Sequence, residues 1–357
     1  MKALNAKIQQ ILDEVVRLAT EQGKPSGFCI GNTRKEDSAG LYFSPIRNTT
    51  KLVAGSAIVY DVDQAEWVAR QVDGKVDYVL VDTEKKISPE LYGKQNVGNV
   101  ERAVREIVRH SKILTYKGND ITVDSIESLV VQIHSSYPRG LSGKKAAIIG
   151  AGNIGSKLAL KLVERGMDVA MTRRNHDKLD AIVSGLNFIK PKETMAKAIG
   201  FIDNEAAADG ADVLIGLTDG KPVITAAMIE SLAPGALLLD GGKGCFMHEA
   251  VLLAERKGIS IYRADIRPGF EGHMGMALET ERIVLTSMGR KEVNGITIVS
   301  GGLLARLNEV VVDNVNDPQV VFGIASGGGD FIRHLSANQV ARIEAIQKYI
   351  DTLCVDE

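Results

Sequence analysis

Gly150-Ala151-Gly152-Asn153-Ile154-Gly155 follows an apolar run, Lys145 to Ile149, and opens a helical pattern that continues to Arg165. In a strand-turn-helix context the three glycines have separate tasks. The first permits the tight turn, the second lets backbone approach a pyrophosphate, and the third lets the helix pack closely on the strand. The unpaired N–H groups of the helix start, reinforced by the helix dipole, then face anionic phosphates. A dinucleotide is therefore expected at Gly150, Gly152, Asn153, Ile154 and Gly155, rather than a glycine turn that binds nothing.

Asp168 to Thr172 predicts the next strand, and it ends in Thr172-Arg173-Arg174-Asn175. An acidic residue here would accept the ribose 2′-hydroxyl of NAD and repel a 2′-phosphate, whereas two arginines clamp that phosphate with fork-like, charge-assisted hydrogen bonds. Thr172, Arg173 and Arg174 thus point to NADP(H). The alternative is a solvated basic loop.

Composition narrows the class. The chain has 357 residues, 45% hydrophobic and 25% charged, with a formal net charge of −2. That length suggests two domains, and the charge balance argues against nucleic acid as the main partner. No stretch approaches a membrane span, and the N-terminus lacks the apolar core of a signal peptide, so the expected location is cytoplasmic. Cys29, Cys245 and Cys354 are too scattered for a disulfide framework or a zinc site, and no metal is expected.

Apolar positions Leu4, Ile8, Ile11, Leu12, Val15 and Leu18 predict an opening helix with one buried face. Short apolar runs between Phe28 and Asp82, with helices near 64–71 and 100–110, predict a small α/β domain over 1–138. Asp124 reads as the N-cap of a further helix, with Glu127 completing a capping box. Pro138 to Gly143 marks the boundary to a second domain, 139–290. Its strands at 213–217, 236–240 and 260–262 alternate with helices near 226–232 and 249–257, which predicts a doubly wound parallel sheet. Asp265 to His273 reads as a glycine-punctuated loop. In the C-terminal segment, 291–357, a strand is expected at 296–299 and a helix at 338–353, and a further strand is expected just before it at 283–285.

With this organisation the chain resembles the amino-acid-dehydrogenase-like superfamily over about residues 40–290. There a small catalytic domain precedes a Rossmann domain and the last helix returns to the first domain. Phe43-Ser44-Pro45-Ile46-Arg47-Asn48 resembles the Ser-Pro substrate loop of shikimate dehydrogenases. Thr122-Val123-Asp124 resembles their Asn-Thr-Asp, and Thr172-Arg173-Arg174 the Asn-Arg-Thr by which many take NADP. Thr218-Asp219-Gly220-Lys221-Pro222-Val223-Ile224-Thr225 and Leu239-Asp240-Gly241-Gly242-Lys243-Gly244 are similar to a segment of S-adenosylhomocysteine hydrolases and, more loosely, of ornithine cyclodeaminases. The hydrolase's His-Phe is Lys243-Gly244 here, and its acidic ribose partner is replaced by arginines.

The resemblance implies that Ser44 and Arg47 bind substrate and that Asp124 works with a first-domain lysine, Lys94 or Lys51, in moving a proton. It also implies a homodimer. The loops after the fourth and fifth strands, with Leu217, Thr218, Asp240, Gly241 and Lys243, belong beside the nicotinamide. In the cluster from Asp265 to His273, His273 is a candidate general acid and Arg267 a candidate for orienting a carboxylate or phosphate; the alternative is a salt-bridged turn. Together these features predict an NADP(H)-dependent oxidoreductase acting on a carbonyl or imine of a small polar metabolite in the interdomain cleft. An enzyme using its nicotinamide without net redox, or a non-catalytic dinucleotide sensor, would carry much of the same pattern.

Overall fold

Ile8, Leu12, Val15 and Ala19 recur along one side of α1 (Lys2–Glu21) and bury it against the first sheet of the computed structural model, which describes residues 2–33, 40–87 and 99–353. That sheet consists of β1 (Ser26–Asn32), β2 (Tyr42–Asn48), β3 (Val53–Val59), β4 (Tyr78–Asp82) and β5 (Lys112–Tyr116), with α2 (Val62–Val72) and α3 (Val100–Ile107) between strands. The order is β2-β3-β1-β4-β5, parallel except for the antiparallel edge strand β2. Phe28, Ile30, Val53, Ala57, Val59, Val79 and Val81 share one face and one core with the three helices. This is the period-2 consequence of a strand whose alternate side chains point the same way. The expected Ser-Pro loop is instead β2 itself: an edge strand tolerates Pro45, and the ladder breaks register between Ser44 and Arg47.

Asp124 does not cap its helix. α4 (Gly118–Ile133) begins two turns earlier, because Asn119 and Asp120 suit a helix start and Ile121, Ile126 and Val130 extend the buried stripe. Glu127, expected in a capping box, pairs with Lys161 at 2.7 Å and Arg165 at 2.6 Å instead.

The second sheet is built from β6 (Lys145–Ile149), α5 (Asn153–Glu164), β7 (Asp168–Thr172), α6 (His176–Ile189), β8 (Ala198–Phe201), α7 (Asn204–Ala208), β9 (Val213–Gly216), α8 (Ala226–Glu230), β10 (Leu237–Asp240), α9 (His248–Arg256) and β11 (Ile261–Arg263). Its six strands are parallel and run β11-β10-β9-β6-β7-β8. One face packs on α4, α5 and α6 and the other on α7, α8 and α9. This is the Rossmann arrangement, and its strand order reverses between β6 and β9, where ligands of such sheets bind.

The expected loop from Asp265 to His273 is largely the start of α10 (Arg267–Arg282). Glycines invite a loop reading, but Gly269 is a packing residue. A Cβ there would stand 2.2 Å from the Ile121 carbonyl oxygen, and its N–H donates to Ser125 Oγ at 3.0 Å. Both sheets and α10 through Met274 form one compact unit, Met1–Met274.

The second unit, Gly275–Glu357, is described by itself. The strand expected at 283–285 is a π-helical turn, Ile283–Ser287, continuing α10: a short β-branched run cannot distinguish strand from helix by periodicity. β12 (Arg290–Val293), β13 (Ile296–Ser300), β14 (Val310–Val312) and β15 (Val321–Ile324) then form a sheet in that order, with β13 and β14 parallel and both outer pairs antiparallel. α11 (Ala337–Leu353), expected to bury its face on the first domain, buries Ile346 and Ile350 with Val310, Val312 and Ile324 of this sheet. Its apolar spacing predicted a buried face but not which surface would cover it.

Two glycine substitutions in α10 should move stability in opposite directions. Gly269→Ala should cost about 2 kcal/mol by forcing α10 off α4. Gly272→Ala, where a Cβ meets nothing within 4 Å, should gain up to about 1 kcal/mol from helix propensity. Urea unfolding midpoints measure both, and a Gly269→Ala midpoint no lower than the parent's would refute the close approach at Gly269.

Candidate functional site

The glycine turn has the geometry that its sequence demands. Gly150 takes φ +111, where a Cβ would stand 2.3 Å from the Leu217 carbonyl oxygen. At Gly155 a Cβ would stand 2.4 Å from the Gly150 carbonyl oxygen. At Gly152, the N-cap of α5, a Cβ would meet nothing within 4 Å, which leaves the helix start open to an approaching group. A cleft of about 680 Å³ adjoins the turn. Of the expected cofactor residues, Gly150, Gly152, Thr172, Arg173, Arg174, Leu217 and Thr218 line it.

The other expected cofactor residues are placed around that lining. Ile154 packs into the core beneath the turn, while the Asn153 carboxamide oxygen accepts from Asn119 Nδ2 at 3.0 Å. Asp240 accepts from the Gly244 and Cys245 N–H groups and so shapes the loop after β10. Gly241 lies against Leu217 and Ile126, and Lys243 adopts φ +60. Among the described residues, neither arginine has an acidic partner. Arg173 donates to the Ala151 carbonyl, which ties the end of β7 to the glycine turn, and Arg174 is exposed. A turn open at Gly152 and a helix start so placed fit the pyrophosphate of a nicotinamide dinucleotide.

Asp124 and His273, expected separately, meet. Asp124 Oδ2 lies 2.7 Å from His273 Nε2, and its Oδ1 lies 2.9 Å from Lys161 Nζ. Burial works against this carboxylate, but hydrogen bonds from Lys161 and His273 more than offset it and hold the carboxyl below its usual range. Lys161 is two turns beyond Asn153 on α5, roughly 12 Å by helical rise. The pair therefore sits down the flank of α5, and neither member lines the cleft. Arg267 is 81% exposed in its side chain and bound to Asp265 at 2.5 Å. Lys94 lies outside the described residues.

A cluster absent from the sequence reading lies nearer the turn. Lys86 Nζ is 2.7 Å from Asp82 and 3.0 Å from Glu84, and the Asp82 side chain is only 3% exposed. The N–H groups opening α4 donate to the same acids, Gly118 to Asp82 and Asn119 to Glu84. Lys157 of α5 pairs with Asp120 at 2.5 Å and approaches Glu84 at 3.8 Å. The cluster thus joins the carboxyl ends of β4 and β5 to the first turns of α4 and α5. Its signal in the sequence was the run Asp82-Thr83-Glu84-Lys85-Lys86 directly after an apolar strand.

Among the described residues, no group of His, Cys, Asp and Glu is arranged to hold a metal ion, and no helix is long and apolar enough to cross a membrane.

Residues 145–240 match the family described as NADP oxidoreductase coenzyme F420-dependent. Among solved structures, the chain is similar to L-tryptophan dehydrogenase from Nostoc punctiforme, 14% identical, covering 72% of this chain and 75% of that one, with a TM-score of 0.40. It is also similar to ornithine carbamoyltransferase from Gloeobacter violaceus, 16% identical, covering 77% and 94%, TM-score 0.42. A third is a putative D-3-phosphoglycerate dehydrogenase from Ralstonia solanacearum, 14% identical, covering 73% and 94%, TM-score 0.36. None of these three likenesses bears on activity. No curated protein matches the chain. Residues 145–240 are a Rossmann-type domain for a nicotinamide dinucleotide, of the kind that oxidoreductases carry.

The lowered carboxyl of Asp124 has a pH signature. A group whose pKa is depressed on folding adds stability above its unfolded value, about 4 for an aspartate, and that stability is lost as pH falls through the folded value. Wild-type protein should therefore lose stability more steeply than Asp124→Asn below about pH 4. Urea midpoints from pH 6 downward give the comparison, and parallel curves would remove Asp124 from the acid response.

Proposed function

We propose that the chain is an NADP(H)-dependent oxidoreductase acting on a carbonyl or imine of a small polar metabolite in the cleft between its two α/β domains. The observation that carries this is the glycine turn opening on a cleft that also holds Arg173 and Arg174, neither paired with an acid among the described residues. When bound, the dinucleotide supplies or accepts the hydride. Gly150, Gly152 and the start of α5 hold the pyrophosphate, the two arginines take the 2′-phosphate, and the loops after Leu217 and Asp240 flank the nicotinamide.

The chain's own task is then the proton. Lys86 is the group best supported, because Asp82 and Glu84 fix its ammonium beside the first turn of α4 and the acids are themselves held by that helix's N–H groups. It donates to a substrate oxygen or nitrogen in reduction and takes the proton back in oxidation. Asp124 with His273 is the competing choice, favoured by their contact of 2.7 Å. The position of that pair down the flank of α5 makes it a brace between α4, α5 and α10.

Nicotinamide fluorescence titrations test the cofactor. NADPH should bind at least tenfold more tightly than NADH, and Arg173→Ala with Arg174→Ala should remove that preference, a loss of roughly 100-fold for two charge-assisted contacts. Equal affinities in the parent protein would overturn the NADP reading. For the proton, Lys86→Met should lower kcat/KM by about 100-fold or more without changing NADPH affinity, while His273→Asn should mainly lower the unfolding midpoint. The reverse pattern would transfer the proton to Asp124 and His273.

A further inference from the structure

Beyond Asp180 the outward side of α6 carries no charge. Ala181, Ser184, Gly185 and Phe188 are exposed at the i, i+3, i+4, i+7 spacing of one helical face. Exposed faces elsewhere are laced with ion pairs, Arg17 to Glu21 on α1 and Arg102 to Glu106 on α3; α6 has none among the described residues. Gly185 has no packing reason inside the chain, since a Cβ there would meet nothing within 4 Å, and a glycine in a helix interior weakens it. Phe188 is 89% exposed, and Met195, in the loop that follows, 92%. Ile189 at the end of the helix and Ile199 on β8, the outermost strand beside it, are exposed too.

This surface is fixed rather than loose. Lys190 Nζ donates to the Thr194 and Ala196 carbonyls, both at 2.6 Å, which ties the loop bearing Met195 to the end of α6. The Asn187 carboxamide accepts from the Ala198 N–H at 3.0 Å and donates to the Ala198 carbonyl at 2.8 Å. A side chain thus occupies backbone groups that an added strand would need, which blocks extension of the sheet at β8. Whatever covers the surface meets side chains, above all those of α6. Ile202 is exposed as well, but it lines the dinucleotide cleft and is accounted for there.

We infer that a second copy of this chain covers the surface, α6 packing antiparallel on α6 across a twofold axis. Small residues at 181, 184 and 185 let two helices approach closely, and with the axis between Ser184 and Gly185 the Phe188 of each copy lies over Ala181 of the other. The same axis sets the end that bears Lys192 and Glu193 against the end that bears Asp177 and Lys178, so each charge meets its opposite. With Asp180 and Lys197 the exposed rim holds three acids against three cations. That balance suits a self-contact, whereas an anionic lipid surface recruits cations in excess. An exposed Phe presents on the order of 200 Å². The four large apolar side chains and the stripe between them therefore reach several hundred Å², the upper end for one patch on a monomer and close to the roughly 800 Å² that each partner of a stable pair covers.

Sedimentation velocity of the full chain across micromolar concentrations is the test. The parent protein should sediment as a dimer. Phe188→Glu, which would bury a charge, and Ser184→Arg, which keeps the helices apart, should each weaken the association by about 100-fold or more. Tyr262→Glu, a change of an exposed aromatic on β11 at the opposite edge of the same sheet, should leave it within about twofold. Far-UV circular dichroism equal to the parent's shows that each variant folds, as expected for side chains on the surface. A monomeric parent, or a dimer that survives both α6 substitutions, would overturn the inference. So would dissociation by Tyr262→Glu alone, which moves the contact to β11. Vesicles of phosphatidylcholine and phosphatidylserine provide the other comparison: binding of a monomeric parent to them, lost in Phe188→Glu, would give the surface to a membrane instead of a second copy.

Discussion

The seam between α4 and α5 sets the position of the polar groups that matter here. Val123, Ile126 and Val130 share a buried core with Leu158 and Leu162, and along the rim runs a ladder of contacts: Asn119 to Asn153, Asp120 to Lys157, Asp124 to Lys161, Glu127 to Arg165. The apolar contacts supply the adhesion, since ion pairs exposed to this extent contribute at most about 1 kcal/mol each. The rungs set the register. Because α4 follows directly from β5 and α5 from the glycine turn, that register decides which edge of the first sheet faces the start of α5.

The same seam explains why the acids and cations around it divide as they do. The acids gather at the N-terminal end of α4, where the helix's free N–H groups and dipole stabilise negative charge. Lys86 and Lys157 follow them there. The cations without such partners among the described residues, Arg173, Arg174 and Arg47, stand apart from the cluster. Separating balanced from unbalanced charge leaves the protein attractive to anions in two places, at the end of β7 and at β2.

How much of this was legible in the sequence depended on whether local spacing or tertiary contact determined each feature. The glycine turn and the alternation of strands and helices are local, and the second sheet follows from them. Gly269 misled because its reason is the Ile121 carbonyl, far away in the chain, so a helix start looked like a loop. Phe43 to Asn48 became an edge strand because pairing with β3 is non-local. α11 showed its apolar face without showing the surface that covers it. At the site, Asp124 and His273 were both picked out by chemistry, but their meeting lies 149 positions apart in sequence. Lys86 went unnoticed because a run of charges after a strand looks like ordinary solvated loop until α4 closes over it.

The break in the ladder between β2 and β3 has a consequence of parity. Ser44 and Arg47 are three positions apart, an odd number, and on an even-period strand they would point to opposite faces. The ladder passes from Ser44 opposite Ser56 to Arg47 opposite Ala54, three steps on one strand against two on the other. One supernumerary residue at Pro45-Ile46 thus turns the guanidinium to the same side as the hydroxyls. Removal of a single residue from that stretch would leave the strand's composition almost intact and carry the cation to the opposite face of the sheet, so in any relative of this chain the length of the segment says as much about the site as the identity of its arginine.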